Sequence, residues 1–130
     1  MEEHGELQRA TEPEELSQFF LERANAGDVN GVAELYEPDA VLAGPDQVST
    51  GIQAIRRRCE ELLAGNSTFT GEIQAALRAG DLALTSVKWS MSAAGPAGQP
   101  RTFSGTSGEV ARRQPDGAWL WVIDQPSVLA

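Results

Sequence analysis

Histidine and cysteine are almost absent from this chain, and their scarcity limits its chemistry. Among 130 residues there is one histidine, His4, and one cysteine, Cys59. An internal disulfide needs two cysteines, and a Ser/His/Asp triad or a Cys/His dyad needs a histidine in the core. Structural zinc sites depend on the same two residue types. We therefore expect no metal and no cofactor, and any catalysis would use carboxylates, hydroxyls, arginine, lysine, tyrosine or bound water.

Positive charge and long apolar runs are also scarce. Lysine and arginine number 10 against 19 acidic residues, so the formal net charge is −9. A negative field repels phosphate backbones and anionic lipid headgroups, which argues against nucleic acid and membrane partners. No stretch approaches the roughly 20 apolar residues of a membrane-spanning helix, and the first residues are acidic where a signal peptide would be basic. The sequence therefore predicts a cytoplasmic protein.

The hydrophobic period changes along the chain and predicts one α+β domain. Residues 1–10 are charged and aperiodic, so we interpret them as a flexible tail before a domain at residues 11–130. In the first half, apolar residues recur at helical spacing and predict three helices, at about 13–26, 29–36 and 50–65. A small hairpin is expected before the third helix. The second half alternates with period 2, and its turn signals separate four strands, which argues against a parallel doubly wound sheet.

Two features of the predicted strands bear on shape and assembly. Serine, threonine and glycine fill residues 104–108 of the third strand, and glycines inside a long strand suggest that it bends. Leu82 and Leu84 alternate on the outer face of the sheet, and no helix is left in the sequence to cover them. An uncovered apolar face predicts a homodimer, with a mass about twice the 13.9 kDa of the chain.

Several local strings resemble one superfamily. They are NAGD at 25–28, YEPDA at 36–40, GIQAI at 51–55, EVARRQPDG at 109–117 with the tryptophan at 119, and VID at 122–124. With the order of elements, these strings resemble the nuclear transport factor 2-like superfamily over about residues 13–127. The SnoaL-like branch, which includes the SgcJ/EcaC and YybH groups, is the nearest. The resemblance implies a cone in which a strongly curved antiparallel sheet wraps three helices, an interior pocket and commonly a homodimer.

The same resemblance implies little about chemistry, because this scaffold hosts isomerases, dehydratases, cyclases and binding modules. Ketosteroid isomerase uses a tyrosine on the first helix and an aspartate at the start of the sheet, and these positions fall on Phe20 and Gly44 here. Many SnoaL-like chains carry histidines at the end of the last strand, where this chain has Ile123 and Gln125. Steroid isomerisation by that mechanism and histidine chemistry are therefore disfavoured.

Asp124, Asp39 and Tyr36 are the candidates for acid–base chemistry. Asp124 lies in the last strand, where burial would raise the pKa of its carboxyl and suit it to act as a base. Strict alternation places Asp124 on the face of the strand opposite to Trp119 and Trp121. Only one of the two faces can line the pocket, so Asp124 lies either in the pocket or on the outer face. Tyr36 and Asp39 bracket the exit of the second helix near the pocket mouth, although core packing and local hydrogen bonding are the simpler interpretations.

Two further interpretations concern Glu109 and the aromatic residues. Glu109 is expected to form a structural ion pair with Arg112 or Lys88 across the sheet. The residues expected to form a ligand-binding wall are Phe20, Trp89, Met91, Trp119 and Trp121, although core packing explains most of them equally well. The predicted ligand is a largely apolar organic metabolite, such as a polyketide or other secondary-metabolite intermediate. Acid–base catalysis by carboxylates and a non-catalytic binding or dimerisation module remain the two alternatives.

Overall fold

Three helices precede the main strands in the structure, a computed structural model that describes residues 8–44 and 46–129. The elements are α1 (Glu15–Asn25), α2 (Val29–Ala33), β1 (Tyr36–Ala43), β2 (Val48–Thr50), α3 (Ile52–Leu63), β3 (Thr68–Ala79), β4 (Leu82–Ala94), β5 (Pro100–Arg113) and β6 (Trp119–Leu129). All six strands form one curved sheet in the order β2-β1-β6-β5-β4-β3. The predicted α+β fold, with an antiparallel four-stranded meander after the helices, is confirmed.

The first strand begins earlier than the sequence predicted. The second helix ends at Ala33, and Tyr36 is the first residue of β1 rather than the last residue of a helix. The predicted hairpin, β1 with β2, joins the main sheet because β1 also pairs with β6 in parallel. Tyr36 lies opposite Trp121 and Val41 lies opposite Ile123, so the intervening part of β1 bulges away from β6. Pro38, which has no N–H to donate to a neighbouring strand, lies in this irregular part.

A β-bulge at Val122 decides which side chains of β6 face inward. Trp121 pairs with Ala111 and Ile123 pairs with Val110, so Val122 has no partner on β5. One extra residue reverses the alternation of side chains along a strand. Trp121 before the bulge and Asp124 after it are therefore both buried, whereas Ile123 is 44% exposed. The expectation that Asp124 opposes the tryptophans, based on strict alternation, is wrong for this reason.

The helices fill the concave side of the sheet. In α1, Leu16 and Phe19 are buried at helical spacing, and in α3 Ile55 and Cys59 repeat this pattern one turn apart. Burying an isoleucine or leucine side chain contributes about 1.5–3 kcal/mol, so these contacts hold both helices against the strands. None of the helices in the described residues is long and apolar enough to cross a membrane.

The boundary between tail and domain falls earlier than residue 11. Ala10 is buried, and its carbonyl accepts a hydrogen bond from the backbone N–H of Trp119 (2.9 Å). The guanidinium of Arg23 donates to the carbonyl of Gln8. Residues 8–10 are therefore attached to the domain. The rest of the predicted tail, residues 1–7, lies outside the described residues.

The convex face of the sheet carries a row of apolar side chains. Leu77, Leu84, Val110, Ile123 and Val41 are successive cross-strand partners from β3 to β1. Leu77 is 66% exposed and Leu84 is 50% exposed. No helix of the described residues covers this row, because all three helices lie on the concave side.

Candidate functional site

A cavity of about 400 Å³ lies between the concave face of the sheet and the helices α1 and α3. Its lining is mainly apolar, and it includes four of the five residues predicted to contact a ligand: Phe20, Trp89, Met91 and Trp121. Phe69 of β3 adds a further aromatic ring, which meets Phe20 edge-on with ring centroids 5.7 Å apart. The space is therefore a pocket with aromatic walls of the kind that takes small organic molecules.

Trp119, the fifth predicted contact, is a core residue and does not line this cavity. It is 1% exposed, and the guanidinium groups of Arg78 and Arg113 lie 5.0 and 5.9 Å from its ring. It shares an inward face with Trp121 but lies two residues nearer the start of β6, beside Ala10. The structure therefore places Trp119 outside the cavity in which its ligand contact was expected, because residues on one face of a strand reach different depths of the core.

A glycine on the neighbouring strand determines the position of Trp89. Gly105 is the cross-strand partner of Trp89, and a Cβ atom at Gly105 would lie 3.1 Å from the indole ring. The indole therefore passes over the glycine, and its Nε1 donates to the carbonyl of Pro126 on β6 (2.7 Å). The glycine-rich segment of β5 thus makes room for a cavity wall.

The polar end of the cavity is built around Asp124. The hydroxyl of Tyr36 donates to Oδ2 of Asp124 at 2.6 Å, and both residues are buried and line the cavity. Burial raises the pKa of Asp124 to about 6, although the hydrogen bond from Tyr36 favours the ionised form. Burial and the nearby charge of Asp124 raise the pKa of Tyr36 well above its ordinary value, so its phenol remains a donor at neutral pH. The structure thus brings two of the three predicted acid–base residues together.

Glu109 is a cavity residue that the sequence interpretation assigned to an ion pair. It lies directly opposite Asp124 in the β5–β6 pair, and its Oε1 accepts a hydrogen bond from the hydroxyl of Thr85 (2.7 Å). Arg112, its expected partner, instead binds Glu37 with Nε 2.8 Å from the carboxylate. Alternation within β5 could have predicted this, because residues three apart in a strand, such as Glu109 and Arg112, lie on opposite faces.

The carboxyls of Glu109 and Asp124 titrate together. Burial and the charge of Asp124 raise the pKa of Glu109 to about 7, against hydrogen bonds from Ser107 and Thr85 that lower it. Two carboxyls that face each other away from water do not both ionise readily, so their protons leave in two separate steps. Between these two steps the pair holds about one proton. This state occurs near neutral pH, where a carboxyl with a raised pKa is effective in acid–base catalysis.

Asp39 is not part of the cavity. It is exposed, and it lies in the irregular part of β1 where the chain leaves β6. Its assignment to the pocket mouth assumed that a helix ends at Tyr36, whereas a strand begins there. The prediction that Asp39 acts in the pocket is therefore wrong.

Two other titratable side chains line the cavity. Burial and the charge of Asp124 raise the pKa of Cys59 to about 11, so the residue is a neutral thiol rather than a nucleophilic thiolate. Arg58 lies against Gly44, and its side chain, 32% exposed, binds Glu61 at 3.2 Å. The part of the chain that the structure describes contains no group of three metal-ligating residues.

The helices inside a curved sheet, with a cavity between them, match a known family. The model of the SnoaL-like domain matches residues 17–120. This chain belongs to the SnoaL-like domain family. The match covers most of α1, the strands β1 to β5 and the helices α2 and α3, and it ends at the start of β6. The resemblance inferred from the sequence is confirmed. No curated protein matches the sequence of this SnoaL-like domain.

Solved structures share the fold at low sequence identity. A nuclear transport factor 2-like superfamily protein from Salmonella enterica is 18% identical with a TM-score of 0.79, over 89% of this chain and 87% of that chain. A ketosteroid isomerase-like protein from Erwinia carotovora is 17% identical with a TM-score of 0.79, over 90% and 93%. A protein with a cystatin-like fold from Novosphingobium aromaticivorans is 20% identical with a TM-score of 0.75, over 88% and 78%. At such identities the likeness concerns the fold.

Proposed function

We propose that this SnoaL-like domain binds a small, largely apolar organic molecule in its cavity and moves a proton on it with Asp124. The observation that supports this function is a buried carboxyl, held by the phenol of Tyr36, at the end of a pocket with aromatic walls. Its pKa of about 6 leaves Asp124 largely ionised at neutral pH, and hence able to accept a proton. General acid–base catalysis of this kind contributes roughly 10²–10⁴-fold to a rate.

A metabolite with a flat ring system and an acidic C–H beside a carbonyl would use both the apolar space of the cavity and the basic carboxylate of Asp124. The rings would fill the apolar space, and the C–H would give its proton to Asp124. Polyketide and other secondary-metabolite intermediates have this chemistry, and they are the substrate class that we propose.

The exchange of an acidic C–H for deuterium tests this function without knowledge of the natural substrate. 2-Tetralone is a flat, apolar ketone with such a C–H, and its binding can be followed by quenching of tryptophan fluorescence. Wild-type protein should bind it and accelerate exchange in D₂O, measured by NMR. Asp124→Asn is nearly isosteric and should leave the affinity almost unchanged while reducing the exchange rate by roughly 10²-fold.

A control and two contrary outcomes complete this test. Glu60→Gln removes one negative charge from an exposed position of α3 and should affect neither binding nor exchange. Equal exchange by wild type and Asp124→Asn would favour the alternative of a non-catalytic binding module. Failure of wild type to bind the ketone would count against the pocket itself.

We also propose that the convex face forms a homodimer. The row that includes Leu77, Leu84 and Ile123 exposes a continuous apolar strip, which a second copy of the chain would remove from water. Light scattering should then report about twice 13.9 kDa. Leu84→Glu places a charge in the middle of the row and should give a monomer, whereas Gln53→Glu, on the exposed side of α3, should not. A wild type that is monomeric at micromolar concentration would refute the dimer.

A further inference from the structure

We propose that the ligand carries a protonated amine and that its ammonium group lies between the carboxyls of Glu109 and Asp124. This inference rests on the proposed function, because it assumes that the cavity takes a small, largely apolar molecule. The inference specifies the charge of the ligand, which the mainly apolar lining of the cavity does not determine.

The two carboxyls present an incomplete set of hydrogen bonds to the cavity. Glu109 is 4% exposed and Asp124 is 8% exposed. Neutral hydroxyls hold both carboxyls: Oδ2 of Asp124 accepts from Tyr36, Oε1 of Glu109 accepts from Thr85, and Ser107 also acts on the carboxyl of Glu109. Oδ1 of Asp124 has no hydrogen-bond partner among the described residues, although its side chain lines the cavity. A carboxylate oxygen that lines a cavity can accept a further hydrogen bond, so a donor on the ligand would complete the site.

No cation of the described residues neutralises these carboxyls. The groups that face them are a phenol from β1, a thiol from α3 and hydroxyls from β4 and β5, namely Tyr36, Cys59, Thr85 and Ser107. All four are neutral near pH 7. Among the described residues that line the cavity, the cationic side chain is Arg58, which is partly exposed and already binds Glu61. Buried charges in proteins are normally paired, so this unpaired negative charge suits a cationic ligand.

The aromatic walls favour the same kind of ligand. The ring centroid of Trp121 lies 5.1 Å from that of Tyr36 and 6.1 Å from that of Phe20. An ammonium group near these rings gains cation–π attraction in addition to its ion pairs, and the effect grows when water is excluded. The apolar part of the same molecule would extend along Trp89 and Met91, which line the remainder of the cavity.

A matched series of three ligands tests the proposal by isothermal titration calorimetry. 2-Naphthylmethylamine, 2-naphthalenemethanol and 2-naphthoate share one flat ring and differ in charge. Near pH 7.5 the amine should bind roughly tenfold to a hundredfold more tightly than the alcohol, and the carboxylate should bind most weakly. Titrations in buffers of different ionisation enthalpy should show that the amine displaces up to one proton near pH 6.5. Its affinity should rise between about pH 5.5 and 7.5, because it favours the ionised pair.

Variants separate the two carboxyls from the overall negative charge of the protein. Glu109→Gln and Asp124→Asn should each bring the affinity for the amine close to that for the alcohol. Glu60→Gln makes the same change of charge on the exposed side of α3 and should preserve the preference. If wild type binds the alcohol as tightly as the amine, the inference is wrong while the apolar pocket stands. A preference that survives in Asp124→Asn and Glu109→Gln would also overturn it, and failure of all three ligands to bind would remove the proposed function with it.

Discussion

The protein should lose stability as the pH rises from about 5 to about 8, and Asp124→Asn should remove much of that loss. In the folded state the pKa of Asp124 is raised from 3.8 to about 6 and that of Glu109 from 4.5 to about 7. The folded protein therefore binds these protons more tightly than the unfolded chain does. The stability due to this difference is complete below the unfolded values and is lost as the pH passes through the folded ones.

The expected loss is large for a domain of this size. Each unit by which a pKa is raised corresponds to about 1.4 kcal/mol. The loss due to Asp124 begins near its unfolded pKa of 3.8, so roughly half of it, about 1–2 kcal/mol, falls between pH 5 and pH 8. Asparagine keeps an acceptor for the hydroxyl of Tyr36 and introduces no charge. It also removes the repulsion that raises the pKa of Glu109, so the stability of the variant should depend much less on pH.

Urea denaturation near pH 5 and near pH 8 measures the loss of stability of the wild type and the smaller loss expected for Asp124→Asn. Asp124→Asn should be more stable than wild type at the higher pH, and this advantage should be smaller at the lower pH. Glu60→Gln, which alters an exposed carboxyl on α3, should follow wild type at both. Wild-type stability that rises steadily from pH 5 to pH 8 would mean that the two carboxyls are not buried against each other.

Gly105→Val should destabilise the fold by about 1–3 kcal/mol and weaken ligand binding roughly tenfold or more. A Cβ atom at this position would lie 3.1 Å from the indole of Trp89, and the two methyl groups of valine would crowd it further. The indole would have to move into the cavity and give up its hydrogen bond to the carbonyl of Pro126. The volume left for a ligand would shrink as a result.

The sign of the effect makes this substitution informative. Valine is a better strand residue than glycine, so without the contact the change should stabilise β5. Thr106→Val alters the next residue, on the opposite face of β5, and serves as the control. Thermal unfolding, together with quenching of tryptophan fluorescence by 2-tetralone, measures both effects. A stabilised Gly105→Val protein with normal binding would show that Trp89 does not pass over Gly105.

The carboxyl pair is unfavourable for folding, and this supports a functional interpretation. Like charges directly opposite on neighbouring strands destabilise a sheet, and burial adds to that cost. Apolar residues at 109 and 124 would pack against the same aromatic neighbours without this penalty. Groups with strongly raised pKa values in a cavity are common at sites of catalysis or ligand binding, where stability is sacrificed locally.

The amino-acid sequence alone determined the class and order of the fold. The change from period 3.6 to period 2 is a local property, because each period reflects how one helix or strand presents a single face to the core. The same alternation marked Leu82 and Leu84 as exposed on the outer face, and both are. Trp89 and Met91, predicted from the sequence to contact a ligand, lie an odd number of residues from Leu82 and Leu84, and both line the cavity.

The tertiary structure alone decided which residues make up the site. A bulge at Val122 puts Asp124 on the inner face with Trp121, and a bulge depends on pairing with β5 and β1, which the sequence of β6 does not reveal. Glu109 acquires its role from its partner Asp124, because the cross-strand register that joins them is set by the whole β5–β6 pair. A proton shared between two carboxyls is a property of distance and burial, and these exist only when the chain is folded.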